Sequence, residues 1–326
     1  MNRFKNILCI MEPTGANNFA LERAVTLAEN NQASLTLIDV IPQITAGIGM
    51  PEGGPVSAEL QSAMNKNELQ KLHSLTEPYK ERIEITTKIL VGVPFLEIIR
   101  EVLRNNHDLI IKEPETQKWL ERIFGSDDMH LLRKCPCPVW LVKPQTSKSY
   151  RHILAAVDFD DTDLVEKPGL QNALNQQILQ LASSIALSNF AELHIVHVWD
   201  AIGESSIRSP FIHTPEKQIK EYVKQTKQQH ANCLDKAFNE VTSTFEQKTL
   251  DYINPQKHLI KGHAEVEISA LAQKIEADLV VMGTVVRTGI AGFIMGNTAE
   301  SILNQLHCSV LAIKPPGFLT PVTLED

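Results

Sequence analysis

No stretch of the 326-residue chain stays apolar for the length of a membrane span, which needs about 20 residues. The apolar run Ile7 to Met11 stops at Glu12. It is too short for the core of a secretory signal, so no membrane association is expected. Cysteine is scarce as well: Cys9, Cys135, Cys137, Cys233 and Cys308 form an odd set of five, which excludes a dense disulfide framework and fits a reducing, cytoplasmic location. Basic charge is in deficit, with 31 Lys and Arg against 39 Asp and Glu and a net charge of −8. That balance opposes non-specific attachment to nucleic acid or an anionic membrane. There is no GxSxG elbow and no GxxxxGK[ST] loop, so an enzyme has little support.

What is present is material for two cores. Hydrophobic residues make up 43% and charged residues 21% of the chain, ordinary for a globular protein, and the length suggests two domains. An internal repeat agrees. Ile7 to Glu12 parallels Ile153 to Asp158, an apolar run ending in one carboxylate. The run opened by Ala33 matches that opened by Ala191, Gly92 and Asp108 are spaced like Gly262 and Asp278, and Cys137 to Lys143 repeats as Cys308 to Lys314. The order is the same in both halves, far longer than a solenoid period.

Each copy alternates short apolar runs with helical periodicity. Leu21, Ala24, Val25 and Ala28 share one helical face, as do Leu174, Ile178, Leu181, Ala182 and Ile185. A later helix opens at Pro94 and turns Phe95, Ile98, Ile99 and Val102 inward, and its counterpart uses Ile268, Leu271, Ala272 and Ile275. Strands are predicted at residues 5–11, 33–40, 83–90, 108–112 and 137–142, then 151–158, 191–199, 257–261, 278–282 and 308–313. Apolar strands between amphipathic helices imply a parallel sheet covered on both faces. The reading is α/β: two tandem doubly wound, Rossmann-type domains of five parallel strands, at residues 1–146 and 150–315, with a tail at 316–326. Residues 43–57 and 200–214 read as loops after each second strand, and residues 216–248 as a broken, solvated helix matched by 57–75. The last strands, Val139 to Val142 and Val310 to Ile313, are apolar edges at which the copies would meet as an intramolecular pseudo-dimer. A homodimer of the whole chain is a further arrangement the sequence permits.

In open α/β sheets ligands bind beyond the carboxyl ends of the strands, where strand order reverses. In copy two the fourth strand leads into a glycine-rich segment from Gly283 to Gly296, followed by a helix opening at Asn297 or Thr298. Such a segment presents free backbone N–H groups to an anion, and Arg287 adds positive charge.

These runs resemble the universal stress protein family, whose nucleotide-binding members carry GxxG, nine residues, then G followed by Ser or Thr. The resemblance covers nearly the whole chain, including its tandem arrangement, and implies a stress-response protein with an ATP site in copy two. On it, Gly283 and Gly296 match the first and third glycines, Asp158 the aspartate at the base or ribose, and Val198 the residue bordering the adenine. Thr284, Arg287, Thr288, Asn297 and Thr298 complete the implied nucleotide-binding set. Two positions depart: Val286 stands at the second glycine and Asn297 at the Ser or Thr. Counted back from Gly125, copy one has Lys112 and Glu115 at the glycine positions, with Asp127 and Asp128 at the phosphate end and Glu12 for the aspartate. Copy one is therefore expected not to bind ATP in the family manner. The alternative is a scaffold whose pockets hold an apolar or other small ligand and which acts through protein partners. Weak ATP hydrolysis is the one enzymatic activity left open.

No metal site is expected. His194 and His197, three apart on a strand, face opposite sides of the sheet. Cys135 and Cys137 lack a second ligand cluster at zinc-site spacing, and Gly47 and Gly49 precede no helix.

Overall fold

A computed structural model describes residues 4–11, 18–44, 55–115, 125–144, 149–159, 170–209, 212, 214–243, 245–286 and 294–324, with backbone alone at 55, 56, 170, 286 and 294. The first half runs β1 (Asn6–Ile10), α1 (Phe19–Asn31), β2 (Ser34–Ile41), α2 (Pro55–Thr76), β3 (Ile85–Val91), α3 (Pro94–Asn105), β4 (Leu109–Lys112), α4 (Ser126–Lys134) and β5 (Val139–Leu141). The second runs β6 (His152–Ala156), α5 (Leu170–Asn189), β7 (Glu192–Trp199), the short α6 (Glu204–Ile207), α7 (Glu216–Thr242), α8 (Gln247–Ile253), β8 (Gln256–Lys261), α9 (Ala264–Lys274) and β9 (Leu279–Gly283). It continues through a small ribbon of β10 (Val285–Val286) and β11 (Ile294–Met295) to α10 (Asn297–Gln305) and β12 (Ser309–Ile313). Every predicted strand is present. Residues 200–214 hold the single turn α6 where a loop was expected, and most of 43–57 lies outside the described residues.

The local chemistry explains the elements. On α1, Leu21, Ala24, Val25 and Ala28 are fully buried at helical spacing. Pro94 occupies the first turn of α3, where its missing N–H costs nothing, and Ile98, Ile99 and Val102 turn to the core. The third strands end alike at Gly92 (φ +144) and Gly262 (φ +155), conformations an L side chain rarely adopts. A Cβ at either would meet the Cγ of Glu97 or Glu267 within 2.9 Å.

Strand order is β3-β2-β1-β4-β5-β12-β9-β6-β7-β8 in one ten-stranded sheet. Each half keeps parallel pairing, and β5 joins β12 antiparallel through Val139–Leu141 and Val310–Ala312, the expected meeting edges. Because the edges pair, the halves do not keep separate cores. On one face Ile7, Leu37 and Trp140 belong to the same buried cluster as Ile153, Leu193 and Leu311. On the other, Leu8, Ile110 and Leu141 continue into Leu154, Val280 and Val310.

Reciprocal polar contacts hold the seam. Lys143 Nζ donates to the His307 carbonyl just beyond α10, and Lys314 Nζ donates to the Leu132 carbonyl in α4. Arg133 of α4 pairs with Glu300 of α10, and Arg23 of α1 stacks 4.1 Å over Tyr150 while donating to Asn189 Oδ1 at 3.0 Å. The tail packs Val322 on the second of these clusters and returns to copy one, where Arg100 Nε donates to the Thr323 carbonyl at 3.4 Å.

Candidate functional site

The two copies can be compared strand by strand at the end of the sheet where the sequence places the cradle. Lys112 lies beside Ile10 and Leu141, and Met282 lies beside the equivalent Ala156 and Ala312. Met282, not Gly283, is therefore the counterpart of Lys112, and Gly283 is matched by Glu113. Counting back from Gly125 places Lys112 wrongly because the segment before the last helix is one residue longer in copy two.

In copy one this end of the sheet is filled from within. Asp128, fully buried in the first turn of α4, accepts from Lys112 Nζ at 2.6 Å, from Glu115 N at 2.8 Å and from Gly125 N at 3.1 Å. Its carboxylate thus sits where an external anion would meet the helix N-terminus. A second carboxylate, Glu113, accepts from Ala20 N in the first turn of α1 at 3.3 Å. The Glu115 side chain also lies against Gly125, so close that even a Cβ there would overlap it.

Copy two has lost each of these charges. Met282 and Ala299 replace the Lys112 and Asp128 pair and belong to the apolar cluster, while Gly283 replaces Glu113. Gly296 caps α10 in extended conformation (φ −68, ψ 140), and Asn297 and Thr298 are exposed in its first turn. Asp158 is exposed two residues beyond β6, where buried Asn175 clamps its backbone, accepting from Asp158 N at 3.1 Å and donating to its carbonyl at 2.5 Å. Val198 is half-buried on β7.

The sequence-derived set is only partly brought together. Gly296, Asn297 and Thr298 stand at the α10 N-terminus, and Gly283 ends β9 one residue before Thr284, whose carbonyl accepts from Gly296 N at 3.3 Å. Thr284 does not serve it: its side chain is fully buried in the seam, where the hydroxyl donates to the Leu132 carbonyl at 3.3 Å and accepts from Lys314 Nζ at 2.6 Å. A hydroxyl beside a buried ammonium and a helix-end carbonyl is held by both. Arg287 and Thr288 lie outside the described residues. Sequence reasoning missed Asn175, which no motif marks, and read Leu174 only as a core position of its helix, whereas its Cδ2 would stand 2.8 Å from a Cβ at Gly283. Lys314 did carry a signal, the repeated Lys-Pro that closes both copies. Among the described residues no group of three or more His, Cys, Asp or Glu is placed to hold a metal ion.

His194 and His197 do face opposite sides of the sheet. His194 Nδ1 is 3.1 Å from His258 Nε2 on one side, and His197 Nε2 is 2.9 Å from His230 Nδ1 on the other. Burial, reinforced by His230, pushes His197 down to about 4. Burial also lowers His107, His194 and His258. The unfolded chain thus binds more protons than the folded one between pH 6.5 and about 4, and stability falls as pH drops through that window. His197 alone accounts for a loss on the order of 3 kcal/mol, at about 1.4 kcal/mol per pKa unit. Thermal melts are expected to drop steeply from pH 7 to pH 4.5, with a shallower drop in His197→Asn; parallel profiles for the two proteins would contradict this.

The family model described as "Universal stress protein family" matches residues 3–143 and 149–314. Universal stress protein E of Salmonella typhi is 32% identical over 341 aligned positions, covering 100% of this chain and 99% of that protein. Among solved structures, PA1789 of Pseudomonas aeruginosa PAO1, a functionally unknown protein, superposes with a TM-score of 0.64 at 27% identity over 96% of this chain and 94% of its own. A universal stress protein from Archaeoglobus fulgidus gives 0.60 at 18% identity, over 95% and 98% of the two chains, and speaks to the fold alone.

Proposed function

Since the chain belongs to the universal stress protein family, in a tandem arrangement, we propose that it is a cytoplasmic stress-response protein that binds an adenine nucleotide, ATP, in its second half alone. It acts through ligand state and protein partners rather than by turnover. In this reading residues 1–146 and 150–315 are the two family units, and the tail from 316 ties the second to the first. Among the described residues no helix is long and apolar enough to cross a membrane.

One observation carries the reading. The Asp128 carboxylate that accepts at the α4 N-terminus in copy one has become Ala299 in copy two, so the α10 N-terminus lacks that carboxylate, which supports a phosphate there. Gly296, Asn297 and Thr298 would meet the phosphates with Arg287 and Thr288 as further contacts, and Asp158 and Val198 would meet the nucleoside. Calorimetric titration with ATP should show saturable heat that vanishes in Gly296→Trp, whose indole fills the cradle. Absence of heat in the unaltered protein would remove the nucleotide role.

A second reading rests on Leu174, which covers Gly283 with an apolar side chain and favours an apolar small ligand on a scaffold. Mass spectrometry of the protein as purified separates the two: an adenine nucleotide mass supports the first, a lipid-like mass the second.

A further inference from the structure

Cys135 ends α4 and Cys137 leads into β5, with Pro136 between them. The residue before a proline is kept out of helical conformation, and Cys135 is extended (φ −67, ψ 132). The chain then bends at 136–137 and brings the two Sγ atoms to 3.5 Å, both side chains buried. In copy two the same positions are Leu306 and Cys308, so only one thiol remains there. Buried next to the pair is Lys314, whose ammonium donates to the Leu132 carbonyl and, at 2.6 Å, to Thr284 Oγ1. Burial presses Lys314 down to about 7, against the opposing influence of the two cysteines.

We propose that Cys135 and Cys137 form a reversible dithiol site which a peroxide closes into an intramolecular disulfide at the junction of the two halves. One thiol attacks the peroxide: an S–O bond forms, the O–O bond breaks and one water leaves, giving a sulfenic acid. The second sulfur attacks that sulfenic sulfur, forming the S–S bond and releasing the oxygen as a second water. Two thiols lose two electrons and two protons, and the peroxide is reduced to two waters. Contact between the sulfurs means that a sulfenic acid formed on either one meets its resolving partner at once. The hydrogen bond between the two sulfurs together with burial holds the Cys137 thiol well above its ordinary range, which disfavours its thiolate as the attacking group. Closing the sulfurs from 3.5 Å to about 2.05 Å draws on the end of α4. That end carries the Leu132 carbonyl on which Lys314 and Thr284 of copy two converge.

The test treats the full-length chain with hydrogen peroxide, alkylates it after denaturation and maps the cysteines by mass spectrometry. The peptide holding Cys135 and Cys137 is expected to be two hydrogens lighter and unalkylated, to regain both labels after reduction, and to form while Cys308 stays alkylated. Cys135→Leu, which copies Leu306, is expected to abolish the two-hydrogen loss. Recovery of the pair fully alkylated at a dose that oxidises the half-buried Cys233, or as sulfinic acids, or in bridges between chains, would overturn the proposal.

Discussion

Lys112→Met is expected to lower the unfolding free energy by about 3 to 5 kcal/mol, the range for breaking a buried ion pair from one side. The side chains of Lys112 and Asp128 are 2% and 0% exposed, so water cannot replace the lost partner. The Asp128 carboxylate would keep its two backbone donors, Glu115 N and Gly125 N, but lose its countercharge. The double variant Lys112→Met with Asp128→Ala recreates the Met282 and Ala299 pairing that the second half already tolerates. It should return to within about 2 kcal/mol of the parent, because the remaining loss is that of a helix N-terminal acceptor. Urea unfolding of the four proteins closes the cycle, and a double variant as unstable as Lys112→Met would show that the pair is not the unit of stability.

Ala299→Asp is the converse change and has the larger functional effect. It places a carboxylate at the N-terminus of α10, as Asp128 is placed in α4, where it would take the donors proposed for phosphate and repel a polyanion. Affinity for ATP is expected to fall by about 100-fold or more, since a charge-assisted contact is replaced by like-charge opposition. Ala299→Asn, of the same size but neutral, should stay within about 10-fold of the parent. Equal losses in the two variants would assign the effect to bulk.

Much of this was legible in the sequence, for identifiable reasons. Strands such as Leu109–Lys112 and Leu279–Gly283 announce themselves by continuous apolar runs, and duplication lets each copy check the other. The apolar last strands foretold the seam. Two things were not legible. A one-residue difference in the segment before the last helix misplaced Lys112 against Gly283, because only sheet register fixes the alignment. Contacts distant in sequence were also invisible: Thr284 to Leu132 and Lys314 spans the seam, and no local pattern distinguishes a threonine that faces a cradle from one that faces away.

Inequality of the halves is tested most directly by native mass spectrometry of the intact chain across a range of ATP concentrations. One bound nucleotide per chain is expected, lost in Ala299→Asp and unaffected by the Lys112→Met and Asp128→Ala pair, because Glu113 and Glu115 still fill that end of copy one. Two nucleotides per chain, or one that survives Ala299→Asp, would contradict the account.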